Sequence, residues 1–107
     1  MAFLEKLRSA ARANDSLVCV GLDVDPGRIP RHLADGLDPV FRFNRSVIDA
    51  TKDLVCAYKP NFAFYGAMGR RGWEALIRTV EHVPEGIPVI LDAKRNGIFI
   101  GGTGTGK

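Results

Sequence analysis

The chain has 107 residues, and 15 Lys and Arg against 12 Asp and Glu give it a formal net charge of +3. Its composition, 46% hydrophobic and 25% charged, is that of a globular protein and excludes a disordered or collagen-like chain. The charge is small and scattered, and no apolar run approaches the roughly 20 residues of a membrane span, so we expect neither a nucleic-acid nor a membrane partner.

Apolar residues recur at helical spacing in three segments, which predicts helices over 2–13, 39–53 and 71–82. Asp38 and Pro39 suit the N-cap and first position of the second helix. In the third helix the predicted buried stripe consists of Trp73, Leu76, Ile77 and Val80. The segments 28–38 and 62–72 contain glycine or proline and are predicted to be irregular.

Short continuous apolar runs predict three strands over 17–23, 54–59 and 87–93. Strands buried on both faces and alternating with helices indicate an α/β fold with a parallel sheet. Cys19 and Cys56 lie in the first two runs, so we expect two buried free thiols facing different layers. The N-terminus lacks the uninterrupted apolar stretch of a signal peptide, and a cytoplasmic location is therefore expected.

Each predicted strand leads into a charged residue at its carboxyl end: Asp23, Lys59, and the pair Asp92 and Lys94. In parallel α/β folds, ligands bind beyond these ends. Asp92 and Lys94 are two residues apart and therefore point to the same face. Charges at strand ends can be merely solvated, but three strands ending in this way favour a functional site.

Three segments resemble orotidine 5′-phosphate decarboxylases of the longer bacterial type: residues 18–26 (VCVGLDVDP), 57–65 (AYKPNFAFY) and 90–95 (ILDAKR). The resemblance extends over residues 1–95 and implies the first three strands and helices of a TIM (β/α)8 barrel. It also implies a homodimeric carboxy-lyase of pyrimidine biosynthesis. Such an enzyme converts orotidine monophosphate to uridine monophosphate and CO2 without a cofactor or metal.

The resemblance also implies roles for the four charged residues. Asp23 would hydrogen-bond the ribose hydroxyls, and Lys59 would connect the ribose to the charged network. Asp92 would lie beside the substrate carboxylate, and Lys94 would protonate the carbon that loses CO2. An ammonium group can both stabilise and quench a carbanion, which suits this chemistry.

The chain departs from the family pattern after Arg95. Gly97 stands where the family has a further catalytic Asp that reaches into the partner subunit, and the chain ends at Lys107. A complete barrel takes about 250 residues, so we expect a fragment that is inactive by itself. Residues 96–107 are predicted to be a tail of different origin.

The tail GGTGTGK (residues 101–107) fits the GxxxxGK pattern of a Walker A phosphate loop, with Gly101, Gly106 and Lys107 at its defining positions. The alternative function is therefore ATP binding through this loop. Because the Ser/Thr and helix that complete such a site would follow Lys107, a flexible glycine-rich tail is the preferred interpretation. A genuine fusion, a truncation and a sequencing artefact all remain open, and the nucleotide sequence across codons 95–108 would separate them.

Overall fold

The computed structural model describes residues 2–34 and 38–92 in full and the backbone of residues 99–100. Three parallel strands lie in chain order: β1 (Cys19–Gly21), β2 (Ala57–Lys59) and β3 (Val89–Ile90). Cys19 pairs with Ala57, Gly21 with Lys59, and Tyr58 with Val89. The predicted parallel α/β arrangement is therefore confirmed, with shorter strands than the apolar runs suggested.

A short fourth strand, β4 (Phe99–Ile100), pairs antiparallel with β3. The reversal has a simple cause: a parallel neighbour needs a crossover of a dozen or more residues, and too few separate Ile90 from Phe99.

In the part of the chain that the structure describes, five helices accompany the strands: α1 (Phe3–Ala13), α2 (Arg31–Ala34), α3 (Pro39–Thr51), α4 (Phe62–Gly66) and α5 (Arg70–His82). A 3-10 turn spans Pro26–Arg28. The three predicted helices correspond closely to α1, α3 and α5. The expectation of irregular chain over 28–38 and 62–72 is wrong where α2, α4 and the start of α5 form.

The helix α3 begins as predicted with Asp38 at the N-cap and Pro39 at the first position, but the Asp38 carboxylate makes no capping hydrogen bond. It forms an ion pair with Arg78 of α5 instead. The backbone of Asp38 has a positive φ of 52°, outside the extended region usual for a capping residue. Asp38 therefore ties α3 to α5 rather than closing the first turn of its own helix.

The main core lies on one face of the sheet, where α3 and α5 pack over β1, β2 and β3. Among its most deeply buried members are Leu22, Ile48, Tyr58, Tyr65 and Leu76. A smaller cluster brings α1 against the other face, through Ala10, Cys56 and Ala57, with Ile90 partly buried beside them. The sheet is thus covered by helices on one face and by a single helix on part of the other.

Two details of the predicted burial are wrong. On α5 the buried residues are Gly72, Ala75, Leu76, Thr79 and Val80, whereas Trp73 and Ile77 remain 47% and 43% exposed. The cause is Gly72: a Cβ there would lie 1.9 Å from the Tyr65 carbonyl oxygen, so α5 approaches α4 along its small residues. Cys19 is exposed because, among the described residues, the cluster that packs against α1 includes Cys56 and Ala57 but not Cys19; both thiols are free.

Candidate active site

Three of the charged residues predicted at the strand ends, Asp23, Lys59 and Asp92, lie at one edge of the sheet. Lys59 is the last residue of β2, and Asp23 and Asp92 follow the ends of β1 and β3 by two residues. Because these three strands are adjacent and parallel, their carboxyl ends share one edge. The sheet therefore brings Asp23, Lys59 and Asp92 to the same side of the fold.

The register also assigns these residues to one face. Gly21 pairs with Lys59, and a further parallel bridge joins Asn61 to Asp92. Their immediate neighbours Leu22, Tyr58 and Leu91 are buried in the main core. Since successive side chains in a strand alternate between faces, the charged residues lie on the face opposite that core. Asp23 and Lys59 are exposed there, and Asp92 is partly buried.

Backbone hydrogen bonds fix the positions of these strand ends. The Leu22 amide donates to the Lys59 carbonyl over 3.1 Å, which joins β1 to β2 directly before Asp23. The Asp92 amide donates to the Pro60 carbonyl over 2.9 Å, and the Asp92 carbonyl accepts from the Phe62 amide over 2.9 Å. The main chain at Asp92 is therefore held from both sides by the β2–α4 connection.

Asn61 is part of this edge, although the sequence assigned it no role. It occupies the N-cap of α4, where its Oδ1 accepts a 3.0 Å hydrogen bond from the Ala63 amide. An Asn directly before an apolar run is a helix-start signal, and this would have revealed α4. The cap turns the chain sharply after Lys59, so the strand end and the following helix meet beside Asp92.

Tyr65 is the second residue that sequence reasoning missed, and it lies behind the site. Its hydroxyl donates to the Leu22 carbonyl over 2.6 Å and accepts from the Asn44 amide over 2.8 Å. Burial raises the pKa of Tyr65 to about 12; the Asn44 hydrogen bond opposes this rise and the nearby charge of Asp23 adds to it. The phenol is therefore a neutral hydrogen-bond donor at physiological pH.

Cys19 lies on the site face, near Lys59. Partial burial raises the pKa of the Cys19 thiol, Cys56 raises it further, and the positive charge of Lys59 opposes both. A raised pKa keeps the sulfur protonated near neutrality, where the thiol is a poor nucleophile. Cys19 is therefore no candidate for covalent chemistry.

Several residues named from the sequence lie outside the described part of the chain. Among them are Lys94, Gly97, and the tail residues Gly101, Gly106 and Lys107. Within residues 2–34 and 38–92, no three His, Cys, Asp or Glu side chains come together as a metal site would require. None of the helices in that same part is long and apolar enough to cross a membrane.

Comparison with known proteins relates this arrangement to one group of enzymes. No protein-family model matches the chain. An orotidine 5′-phosphate decarboxylase of Herpetosiphon aurantiacus is 52% identical over 96 residues, which are 90% of this chain and 36% of the relative. The chain thus spans about a third of the length of the curated relatives that it matches.

Solved structures give the same relationship. A crystal structure of a Toxoplasma gondii protein assigned as an orotidine-monophosphate decarboxylase superposes with a TM-score of 0.76 at 37% identity, covering 85% of this chain and 31% of that one. The OMP decarboxylase of Leishmania donovani superposes with a TM-score of 0.70 at 39% identity, covering 89% and 34%. Over about nine-tenths of its length, the chain is therefore a homologue of the N-terminal third of orotidine 5′-phosphate decarboxylases.

Proposed function

We propose that this chain provides the first three strands, and most of the charged residues, of an orotidine 5′-phosphate decarboxylase site. The reaction converts orotidine monophosphate to uridine monophosphate and CO2, and the enzyme is a carboxy-lyase of pyrimidine biosynthesis. One observation carries the proposal: Asp23, Lys59 and Asp92 lie on one face, at the carboxyl ends of three adjacent parallel strands. This is the edge at which α/β barrels place their catalytic residues.

In this proposal, Asp23 and Lys59 bind the substrate. The exposed Asp23 carboxylate accepts hydrogen bonds from the ribose hydroxyls. Lys59 follows on the neighbouring strand, and its ammonium connects the ribose to the acidic residues. The short backbone link between Leu22 and Lys59 supports this pairing, because it holds the two strand ends together.

Asp92 and Lys94 carry the chemical step in this proposal. The bond between the pyrimidine ring and its carboxylate breaks, CO2 leaves, and the electron pair remains on the ring carbon. The Lys94 ammonium stabilises this carbanion and then donates its proton to the same carbon. Asp92 lies beside the departing carboxylate, where its negative charge destabilises the bound substrate.

The remaining features of the proposal follow from the resemblance. The substrate is a small molecule, the working unit is a homodimer in the cytoplasm, and neither a cofactor nor a metal takes part. Residues 1–95 form the decarboxylase portion, and residues 96–107 form a tail of different origin. By itself the 107-residue chain is expected to show little or no turnover, since binding energy from the substrate phosphate also lowers the barrier.

The test is a completed barrel, in which residues 1–95 are joined to the remaining strands of the Herpetosiphon aurantiacus relative. We expect this protein to consume orotidine monophosphate, followed by the loss of its absorbance. Lys94→Ala should lower kcat by about 10³-fold or more, and Asp92→Asn by about 10²- to 10³-fold. Asp49→Asn, an exposed carboxylate on α3, is the control and should leave turnover unchanged. A completed barrel without turnover, or with equal turnover in Lys94→Ala, would refute the proposal.

A further inference from the structure

A buried group of polar side chains lies directly behind the candidate site. It consists of Asn44 on α3, Tyr65 on α4 and Thr79 on α5, and none of the three is accessible to solvent. The Asn44 amide donates to the Tyr65 hydroxyl over 2.8 Å and to the Thr79 hydroxyl over 3.0 Å. We call these three residues the Tyr65 network.

The protons in the Tyr65 network can be assigned from its partners. The Tyr65 hydroxyl donates its single proton to the Leu22 carbonyl, and the Thr79 hydroxyl donates its own to the Ala75 carbonyl. Both hydroxyls can then only accept from Asn44, so the amide must present its NH2 group to them. Asn44 of α3 therefore donates to both other helices, Tyr65 donates to the Leu22 carbonyl, and Thr79 donates within α5.

The network ends on the peptide group that carries Asp23. The Leu22 carbonyl and the Asp23 amide belong to one planar unit, so a hydrogen bond to that carbonyl restrains the backbone at Asp23. The regular pairing of β1 with β2 ends at Gly21 and Lys59, immediately before this peptide. Tyr65 thus supplies a hydrogen bond where the strand ladder stops.

The backbone of Tyr65 is itself firmly placed. Gly72 of α5 packs so closely against α4 that an added Cβ would lie 1.9 Å from the Tyr65 carbonyl oxygen. Its ring is fully buried in the main core, and its hydroxyl is held by Asn44. A phenol fixed at both ends is a rigid spacer between the helical layer and the strand end.

We propose that Tyr65 is a positioning residue for Asp23: its hydroxyl holds the Leu22–Asp23 peptide and thereby sets where the Asp23 carboxylate meets the substrate. The inference deepens the proposed function and rests on it, because it takes Asp23 as a substrate-binding residue. A purely structural role predicts a different result, since loss of the hydroxyl would then loosen the core around Asn44 without a specific effect at Asp23.

The chain offers a matched control in Tyr58, its second tyrosine. Tyr58 is equally buried, and its hydroxyl contacts Thr51 and the Ile48 carbonyl, away from the Leu22–Asp23 peptide. Tyr65→Phe and Tyr58→Phe each remove one buried hydroxyl and keep the ring. Only the first of them removes a hydrogen bond to the Leu22 carbonyl.

The first measurement is amide hydrogen exchange of the 107-residue chain, read by mass spectrometry. In Tyr65→Phe we expect exchange in the 19–24 segment to accelerate about 3- to 10-fold relative to Tyr58→Phe, as loss of about one hydrogen bond predicts. Exchange in α1 should be equal in the two variants. Equal rates over 19–24 in the two variants would overturn the proposal.

The second measurement uses the completed barrel. It tests whether Tyr65 positions Asp23 even if Tyr65→Phe prevents the 107-residue chain from folding. We expect kcat/KM for orotidine monophosphate to fall about 3- to 10-fold in Tyr65→Phe and to stay within twofold in Tyr58→Phe. Equal losses in the two variants would overturn the proposal. An inactive unsubstituted barrel refutes the proposed function instead, and the exchange rates then decide whether Tyr65 positions Asp23.

Discussion

Asn44 and Thr79, separated by 35 residues in the chain, are joined side chain to side chain by a 3.0 Å hydrogen bond in the core. The amide of Asn44 is the donor and the Thr79 hydroxyl the acceptor, because that hydroxyl donates to the Ala75 carbonyl. The pair joins α3 to α5 in a region with no access to solvent. The packing of α3 against α5 is therefore stabilised by a hydrogen-bond donor on the side chain at position 44.

Asn44→Asp tests this dependence with almost no change of shape. An aspartate offers acceptors alone to two hydroxyls that already donate elsewhere, so we expect the free energy of unfolding to fall by about 3 kcal/mol. Urea titration monitored by the fluorescence of Trp73, the single tryptophan, measures the change at fixed protein concentration. Asn61→Asp is the control: Asn61 acts as an acceptor at the α4 cap, so stability should hardly change. Equal losses in both variants would contradict the assigned direction of the Asn44 hydrogen bonds.

Tyr65 should titrate far from its ordinary range. In Tyr58→Phe the remaining phenol is Tyr65, and its absorbance should report a pKa near 12, raised by burial from the ordinary 10. The raised pKa contributes stability that is fully present below pH 10 and is lost as pH rises through 12. A difference of two units corresponds to roughly 3 kcal/mol. Ionisation at pH 10 in the folded variant would contradict the burial of Tyr65.

The hydrogen bond between His82 and Asp49 should stabilise the fold at neutral pH and lose its effect in acid. The 2.7 Å hydrogen bond from His82 is the main reason that the pKa of Asp49 lies below its usual value. A lowered carboxyl pKa gives stability that is present above about pH 4 and is lost as pH falls further. Thermal midpoints of the unsubstituted chain and Asp49→Asn should therefore differ at pH 6 and converge near pH 2. Because the pair is exposed, the difference should be small, and Asp53→Asn serves as the control.

Exposed apolar side chains near the amino ends of β1 and β2 should promote self-association. Leu17 is 89% exposed and Leu54 is 62% exposed, and β1 forms one edge of the described sheet. Apolar groups beside an open strand edge favour aggregation or oligomers. We expect Leu17→Glu to increase the monomer fraction in sedimentation without reducing helix content. Leu22→Glu, at a site that is 2% exposed, should unfold the chain. A monomeric unsubstituted chain with a sharp, reversible thermal transition would contradict this expectation.

Replacing Gly97 should not create activity in the 107-residue chain. The resemblance implies a catalytic Asp at this position, and it also implies that the loops binding the substrate phosphate follow later strands of the barrel. Losing one electrostatic contact costs about 10²- to 10³-fold in rate, and several are absent together. We therefore expect no decarboxylation by Gly97→Asp in the assay that detects the completed barrel. Robust turnover by either form of the short chain would refute this prediction.

The sequence predicts the three parallel strands and the positions of the three long helices, because apolar runs and helical apolar spacing are local signals that packing details do not alter. The sequence-based prediction is wrong where small or polar residues determine which face of a helix is buried or where a helix begins. The buried face of α5 includes Gly72 and Thr79, whereas Trp73 is exposed. Apolar spacing predicts burial from large apolar side chains and therefore selects Trp73 instead of the small residues that pack against α4. The helix α4 is not predicted, because Gly66, Gly69 and Gly72 make the segment 62–72 resemble a loop although Asn61 caps a helix there.

For the candidate site, alternation along the strands was sufficient to predict the shared edge of Asp23, Lys59 and Asp92. Strand alternation does not predict the hydrogen bond from Tyr65 to the peptide before Asp23. Its hydroxyl reaches Leu22 across 43 residues of sequence, and only the packing of α4 against α5 reveals that contact. The residue roles, including that of Lys94, remain predictions for the completed barrel to test.

The pairing of Gly21 with Lys59 has a consequence for how this region tolerates insertions and deletions. A slip of one residue in β1 would turn Leu22 toward solvent and Asp23 into the core, because side chains alternate along the strand. Such a slip would lower the free energy of unfolding, because it would expose Leu22 and bury the Asp23 carboxylate. An insertion or deletion of one residue within this strand would therefore prevent folding, and the loss would appear before substrate binding could be affected.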